Sequence, residues 1–267
     1  MVSLWNKGIH YLTEQGVSEG IAAVYLVVSA LIVIMALVAI VMRLIVVVKY
    51  YEGNKTKTKS GKTSFQVAQE ALAKAGLTGV KVKKAGILRA FFIGNSYSVS
   101  KKTIFLRGSI ANKNSITAVS LALQKVAIAK MAHDGKSSVK IRNTAQVLGL
   151  VGPILFIPVV LIGFVIDFFL FGIFGAFSIV GIIVGLILIF SGLIATLLNL
   201  PVEKKANQIA LKLIDETGVL TKEEQDIAKK IFDAYLVAYI CEFIIAILRL
   251  IQIVLEIVMN VQINNKQ

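Results

Sequence analysis

The chain has 267 residues, 57% of them hydrophobic and 16% charged, with a mean hydropathy of +0.80. Ordinary globular chains carry about 25% charged residues, so a soluble enzyme, a disordered tail and a secreted disulfide scaffold are excluded at the outset. The single cysteine, Cys241, leaves no intrachain disulfide and no cysteine-based metal site. Against this apolar background stand 29 basic and 15 acidic residues, a formal net charge of +14.

In chain order, residues 1–20 read as an external N-terminal tail with one Lys and two Glu, unlike a basic leader. A bilayer core takes about 20 apolar residues in helical form, and residues 21–48 supply the first such run. Arg43 lies near its end, close enough to snorkel. Residues 147–200 form an apolar stretch whose one charge is Asp167. That length reads as a transmembrane hairpin, about 147–167 and 176–199, turning near Phe168–Ala176, where Gly172 and Gly175 fall. Pro153 and Pro158 are expected to kink its first arm. Residues 235–260 make a fourth span, followed by a tail, 261–267.

Between the first span and the hairpin, residues 49–146 form a basic α+β domain. Ser64 is placed to cap a helix over Phe65–Ala75, closed by Gly76. Short β-like runs follow at Val80–Val82, Phe91–Ile93, Tyr97–Val99 and Thr103–Leu106, read as a small antiparallel sheet with Phe91, Phe92 and Tyr97 in its core. Ser115 opens a helix over Ile116–Ala132. After the hairpin, segment 201–234 predicts two helices, Glu203–Glu216 and Glu223–Asp233, the second running on into the last span.

Residues 49–146 hold 19 basic side chains against three acidic ones, whereas 201–234 holds six against seven. With four spans these two segments share one side. The excess of Lys and Arg makes that side the cytoplasm and leaves both termini outside, as expected for a bacterial plasma membrane. Lys49, Lys55, Lys57, Lys59, Lys140 and Arg142 lie at the domain's edges, where anionic lipid headgroups are the expected partners. Nucleic acid is not expected, because no aromatic platform is interleaved with the basic residues.

The order of these elements is familiar. A membrane helix precedes Gly61–Leu72 (GKTSFQVAQEAL) and Gly76–Val82 (GLTGVKV). A Tyr97 turn and strand then lead to Asn112–Ile116 (NKNSI), and the hairpin closes on Leu200–Glu203 (LPVE). This resembles the zinc metallopeptidase family of the YugP type, neutral zinc metallopeptidase family 2, from about Gly61 to about Val254. The resemblance implies a zinc peptidase with a His-Glu-Val-Gly-His helix. There two histidines four residues apart bind Zn²⁺ and the glutamate activates the metal-bound water. In this chain that motif falls on Gln124, Lys125, Val126, Ala127 and Ile128, and only the valine is kept. The family's Asp-His-Tyr-Asp stretch reads Asn95, Ser96, Tyr97, Ser98, and the Asp two residues past Glu203 reads Lys205.

Glu203 is the one retained candidate ligand, and it also fits a capping carboxylate at a helix start after Pro201. A zinc site takes about three protein ligands, so neither metal nor other cofactor is expected and the catalytic positions read as degenerate. His10 and His133 offer no replacement. The first lies in the N-terminal tail and the second reads as a loop histidine. Gly61-Lys62-Thr63 lacks the first glycine of a phosphate loop.

The reading is therefore an α-helical integral membrane protein with four transmembrane helices and a small α+β metallopeptidase-like cytosolic domain. It would act as an inactive scaffold or adaptor, as a homo-oligomer or within a larger membrane complex. Glu242, Arg249 and Glu256 recur every seven residues and share one face of the last span. With Asp167 they form a candidate intramembrane polar seam, since charges in a span usually face protein. An active zinc peptidase with displaced ligands and a transporter or channel component are the alternatives.

Overall fold

The computed structural model describes residues 2–171 and 175–264. The chain is mostly helical and divides into two compact units, Met1–Leu44 with Val237–Gln267, and Ile45–Leu236. In order the elements are α1 (Val2–Glu14), α2 (Glu19–Lys55), α3 (Ser64–Lys74), β1 (Lys81–Lys84), α4 (Ile87–Phe92), β2 (Ser96–Ser98) and β3 (Thr103–Leu106). There follow α5 (Gly108–Ala111), α6 (Ile116–His133), α7 (Ser137–Phe171), α8 (Ala176–Thr217) and α9 (Lys222–Asn264). Among the described residues three helices, α2, α8 and α9, are long and apolar enough to cross a membrane, and α7 carries a shorter apolar stretch, Pro158–Leu170.

In the first unit the N-terminal segment is a helix rather than a tail. Gly16, at φ +98°, turns the chain from α1 into α2. Val17, Ala22 and Met259 are buried together there. Within this unit α2 and α9 run antiparallel and are joined by polar rungs. Ser18 N–H donates to Gln262 (2.9 Å), Tyr25 to Glu256 (3.2 Å) and Arg43 to Glu242 (2.9 Å).

The second unit is built around α6. Every residue from Ile116 to Ala129 is buried, so this helix is enclosed on all sides instead of presenting one apolar face. Its alanines let α3, the sheet and α8 approach closely. Ser115 caps it, accepting from Ala118 N–H. For α3 the cap is Thr63, in a reciprocal capping box with Gln66. The expected cap, Ser64, is instead buried and donates its hydroxyl to the Ile110 carbonyl at 2.7 Å.

The sheet is mixed, in the order β1-β3-β2, with β1 parallel and β2 antiparallel to β3. It is not purely antiparallel, because α4 carries the chain across between β1 and β2. The run expected as a strand at Phe91–Ile93 belongs to that helix and its end. Ile87, Leu88, Phe91 and Phe92 recur at four-residue spacing, the helical period, and Gly94 at φ +74° closes the turn. Nor are Phe91 and Phe92 in the core, being 77% and 53% exposed.

Two further expectations change. The second hairpin arm and the helix expected from Glu203 are one 42-residue helix, α8, with Pro201 inside it. The first arm belongs to α7, which stays helical from Ser137 to Phe171. The expected hairpin turn lies partly at 172–174, outside the described residues, as do 265–267 of the C-terminal tail.

Asp167 accepts from the N–H groups of Gly175 (2.9 Å), Phe177 (3.2 Å) and Ser178 (2.6 Å) at the start of α8. These are free donors at a helix N-terminus, so Asp167 ties the end of α7 to the beginning of α8. Glycines bring the two helices close: a Cβ added at Gly149 would fall on the Gly192 backbone, and one at Gly163 on the Phe177 carbonyl. Small residues at such crossings let apolar helices gain packing where lipid offers no hydrophobic drive. Gly149→Leu should therefore cost about 1–3 kcal/mol and lower the melting temperature of the detergent-solubilised protein. Gly79→Ala, with no atom within 4 Å of the added Cβ, should leave it unchanged.

Candidate functional site

Helices α6, α7 and α8 meet through a run of polar contacts inside an apolar core. Asn199, Glu203 and Asn207 recur every four residues on α8 and form one stripe. Arg142, early in α7, reaches that stripe. Its Nε donates to Asn199 Oδ1 at 2.8 Å and its Nη2 to Glu203 Oε1 at 2.7 Å. These two acceptors flank Pro201, so one guanidinium spans the turn in which proline removes a backbone donor. That grip offsets part of the cost of a proline within the helix.

From α6, the Lys125 amine lies 3.7 Å from the same Glu203 oxygen and donates to Gln124 Oε1 at 2.8 Å. Gln124 Nε2 donates to Asn207 Oδ1 at 2.7 Å, and Asn207 donates to the Phe232 carbonyl at 3.4 Å. Glu203 is fully buried, and Gln124, Lys125, Ile128 and Arg142 are each less than 9% exposed. The residues that the resemblance places on the zinc helix, Gln124 and Lys125, thus lie against the stripe that carries Glu203.

A buried ion costs several kcal/mol unless it is paired and hydrogen-bonded. Here one carboxylate faces two cations, and the neutral amides of Gln124 and Asn199 accept from the cations' remaining donors. Burial, the largest influence, pushes the Lys125 amine below the ordinary lysine value; Glu203 pushes back and Arg142 adds to the lowering. Glu203 Oε2 is buried without a hydrogen-bond partner, an oxygen whose lone pairs nothing in the core takes up.

Zinc does not fit this donor set. Ile128 has no lone pair, Lys125 brings a positive charge to the place of a dication, and Glu203 is held by two cations. Among the described residues no group of three His, Cys, Asp or Glu side chains could hold a metal ion. His10 pairs with Glu14 at 3.3 Å and His133 with Asp134 at 3.6 Å, all four side chains exposed. On β2, Tyr97 is buried, and burial pushes its phenol pKa up. Asn95 accepts from Arg107 N–H at 2.8 Å, and Lys205 is exposed.

Other expected positions separate. Arg142 is not at the lipid surface, because Glu203 and Asn199 draw it into the core. Glu203 is no helix-start cap, since α8 runs through it without a break. Asp167 serves as the local cap for α8. Glu242 and Glu256 take partners on α2, and Arg249 donates to Gln252 on its own helix at 3.4 Å. Lys55, Lys57, Lys59 and Lys140 are exposed, and Lys49 pairs with Glu52 at 2.8 Å. The residues that sequence reasoning missed are Asn199 and Asn207, while it assigned Arg142 to lipid headgroups. The signal for the two asparagines was present in the four-residue recurrence of Asn199, Glu203 and Asn207 around Pro201.

Against known families, a family model described as "Putative neutral zinc metallopeptidase" matches residues 27–258. No curated protein and no solved structure matches the chain.

The cluster predicts opposite outcomes for its members. Glu203→Ala leaves two buried cations uncompensated and should cost about 3–5 kcal/mol, read as a lower melting temperature or loss of the folded chain. Lys125→Met keeps the volume and the Arg142–Glu203 pair, and should be neutral or stabilising by about 1–4 kcal/mol. Combined with Lys125→Met, Glu203→Gln should be far less harmful than Glu203→Gln alone, which a double-mutant cycle measures.

Proposed function

The chain belongs to the neutral zinc metallopeptidase family, and we propose that it is a catalytically inactive member that serves as a scaffold or adaptor in a membrane complex. The observation that carries this reading is the Lys125–Glu203–Arg142 cluster. Cations and amides stand where metal-bound water and a general base would have to act, and the polar groups there are largely spent on one another. Without a metal, water keeps a pKa near 15.7 rather than about 7, so this site offers no activated nucleophile. What remains is a rigid frame that joins membrane helices to a folded domain.

The proposed placement is an integral membrane protein of a bacterial plasma membrane with four spans. These are residues 21–48, 147–167, 176–199 and 235–260, with the domain 49–146 and segment 201–234 in the cytoplasm and both termini outside. The long apolar helices and the concentration of Lys and Arg in 49–146 support it. Glu242 and Glu256 find partners on α2, which favours a structural role for the charged residues of α9 over a pore lining.

One preparation of the full chain from native membranes tests both halves of the proposal. Elemental analysis should find no stoichiometric zinc, and casein or peptide substrates should not be cleaved. Light scattering should give a mass above the monomer, or a defined membrane protein should co-purify. Stoichiometric zinc with chelator-sensitive hydrolysis would end the inactive reading. A strict monomer with no partner would end the scaffold reading.

A further inference from the structure

A cavity of about 740 Å³ opens within the larger unit between α4, β2 and the stretches where α7 and α8 become apolar. Strand order puts β2 at the edge of the sheet. The cavity meets the buried charge cluster at Asn199, and its lining is divided. Toward the domain stand Arg89, Lys101 and Lys140, with hydroxyl and amide side chains between them and no acidic residue. Toward the apolar run stand Val147, Leu148 and Ala195.

Two donors in this wall are unused: Arg89 Nε and Asn143 Nδ2 are buried and have no hydrogen-bond partner. The rest of the Arg89 side chain is firmly placed. Its guanidinium lies 4.0 Å over the Phe105 ring, and Nη2 donates to Ser96 at 3.1 Å. Beside it α4 presents Ile87, Leu88, Phe91 and Phe92 outward, 89%, 75%, 77% and 53% exposed. Four large apolar side chains on six residues form an exposed patch left uncovered among the described residues. Such a patch, next to cations and at the depth where the apolar helices begin, has the composition of an interfacial element.

We propose that this cavity binds the headgroup and glycerol backbone of an anionic phospholipid from the surrounding leaflet, with α4 dipping into the interface beside it. The ligand's phosphate meets Arg89, Lys101 and Lys140, and its acyl chains leave along the apolar side formed by α7 and α8. Charge complementarity and continuity with the apolar helices favour a lipid over an extended peptide added to the edge of β2. The proposal rests on the membrane reading of α7 and α8. Alkaline carbonate extraction tests that reading separately, since a chain released by carbonate would end it.

The lipid site is tested with the full chain in an uncharged detergent, by native mass spectrometry during titration with phosphatidylglycerol or phosphatidylcholine of the same acyl chains. Phosphatidylglycerol should be preferred, and the preference should fall about fivefold for each cation removed in Lys101→Gln/Lys140→Gln. Lys55→Gln/Lys57→Gln/Lys59→Gln should leave it unchanged. Both variants alter only exposed lysines and should keep the wild-type helical circular dichroism. Free glycerol phosphate at millimolar concentration should not displace the lipid. Equal binding of the two lipids, a preference that survives Lys101→Gln/Lys140→Gln, or displacement by glycerol phosphate or an acidic peptide would overturn the proposal. For α4, Phe91→Trp in a Trp5→Phe background should be quenched by brominated lipids in nanodiscs, and unquenched emission would overturn the interfacial placement.

Discussion

One fully buried carboxylate sets the terms for the larger unit. Glu203 cannot be left unpaired, because a single ion in so apolar a core would cost more than most domains have to spare. Arg142 from α7 and Lys125 from α6 meet it, and their formal charges sum to that of a divalent cation. Three helices are thereby fixed relative to one another by a few hydrogen bonds. In a zinc peptidase the metal would hold such a frame together. In this chain charged side chains do it, and they do so without an open coordination position.

The same cluster explains why α8 remains one helix. A proline inside a helix removes a hydrogen bond and costs about 3 kcal/mol, which made a break at Pro201 the natural reading of the sequence. Arg142 holds the acceptors of Asn199 and Glu203 on either side of that point, and Val202 and Ala206 are buried beside them. A local rule was thus overridden by a residue some sixty positions away. No inspection of the turn alone reveals it.

What was legible in the sequence follows this division between local and distant causes. The apolar runs, β3 and the cap of α6 by Ser115 depend on composition and near neighbours; β3 and the cap appear at the expected residues, and each apolar run lies within a longer helix. The family also lies within reach of the sequence, and its model matches residues 27–258. Arg142 was read as a surface cation because hydropathy treats every arginine near an apolar run alike. Phe91 and Phe92 were read as core because aromatic residues in a short run suit a strand, and nothing local told of a helix facing outward.

The length of α8 ties these observations together. A bilayer core takes about 20 residues of helix, and α8 has 42, more than one crossing takes; its second half is buried at Val202, Ala206, Ala210 and Leu213 in the core of the larger unit. Arg142, Asn199 and Glu203 meet around Pro201, where the apolar part of α8 passes into the part that packs in this core. The bonds from Arg142 tie α7 to α8 on both sides of that proline. A catalytic frame needs an open, polar centre to bind metal and water, and such a centre weakens the core around it. In this chain Lys125, Glu203 and Arg142 are paired with one another and buried, so the centre between α6, α7 and α8 is closed.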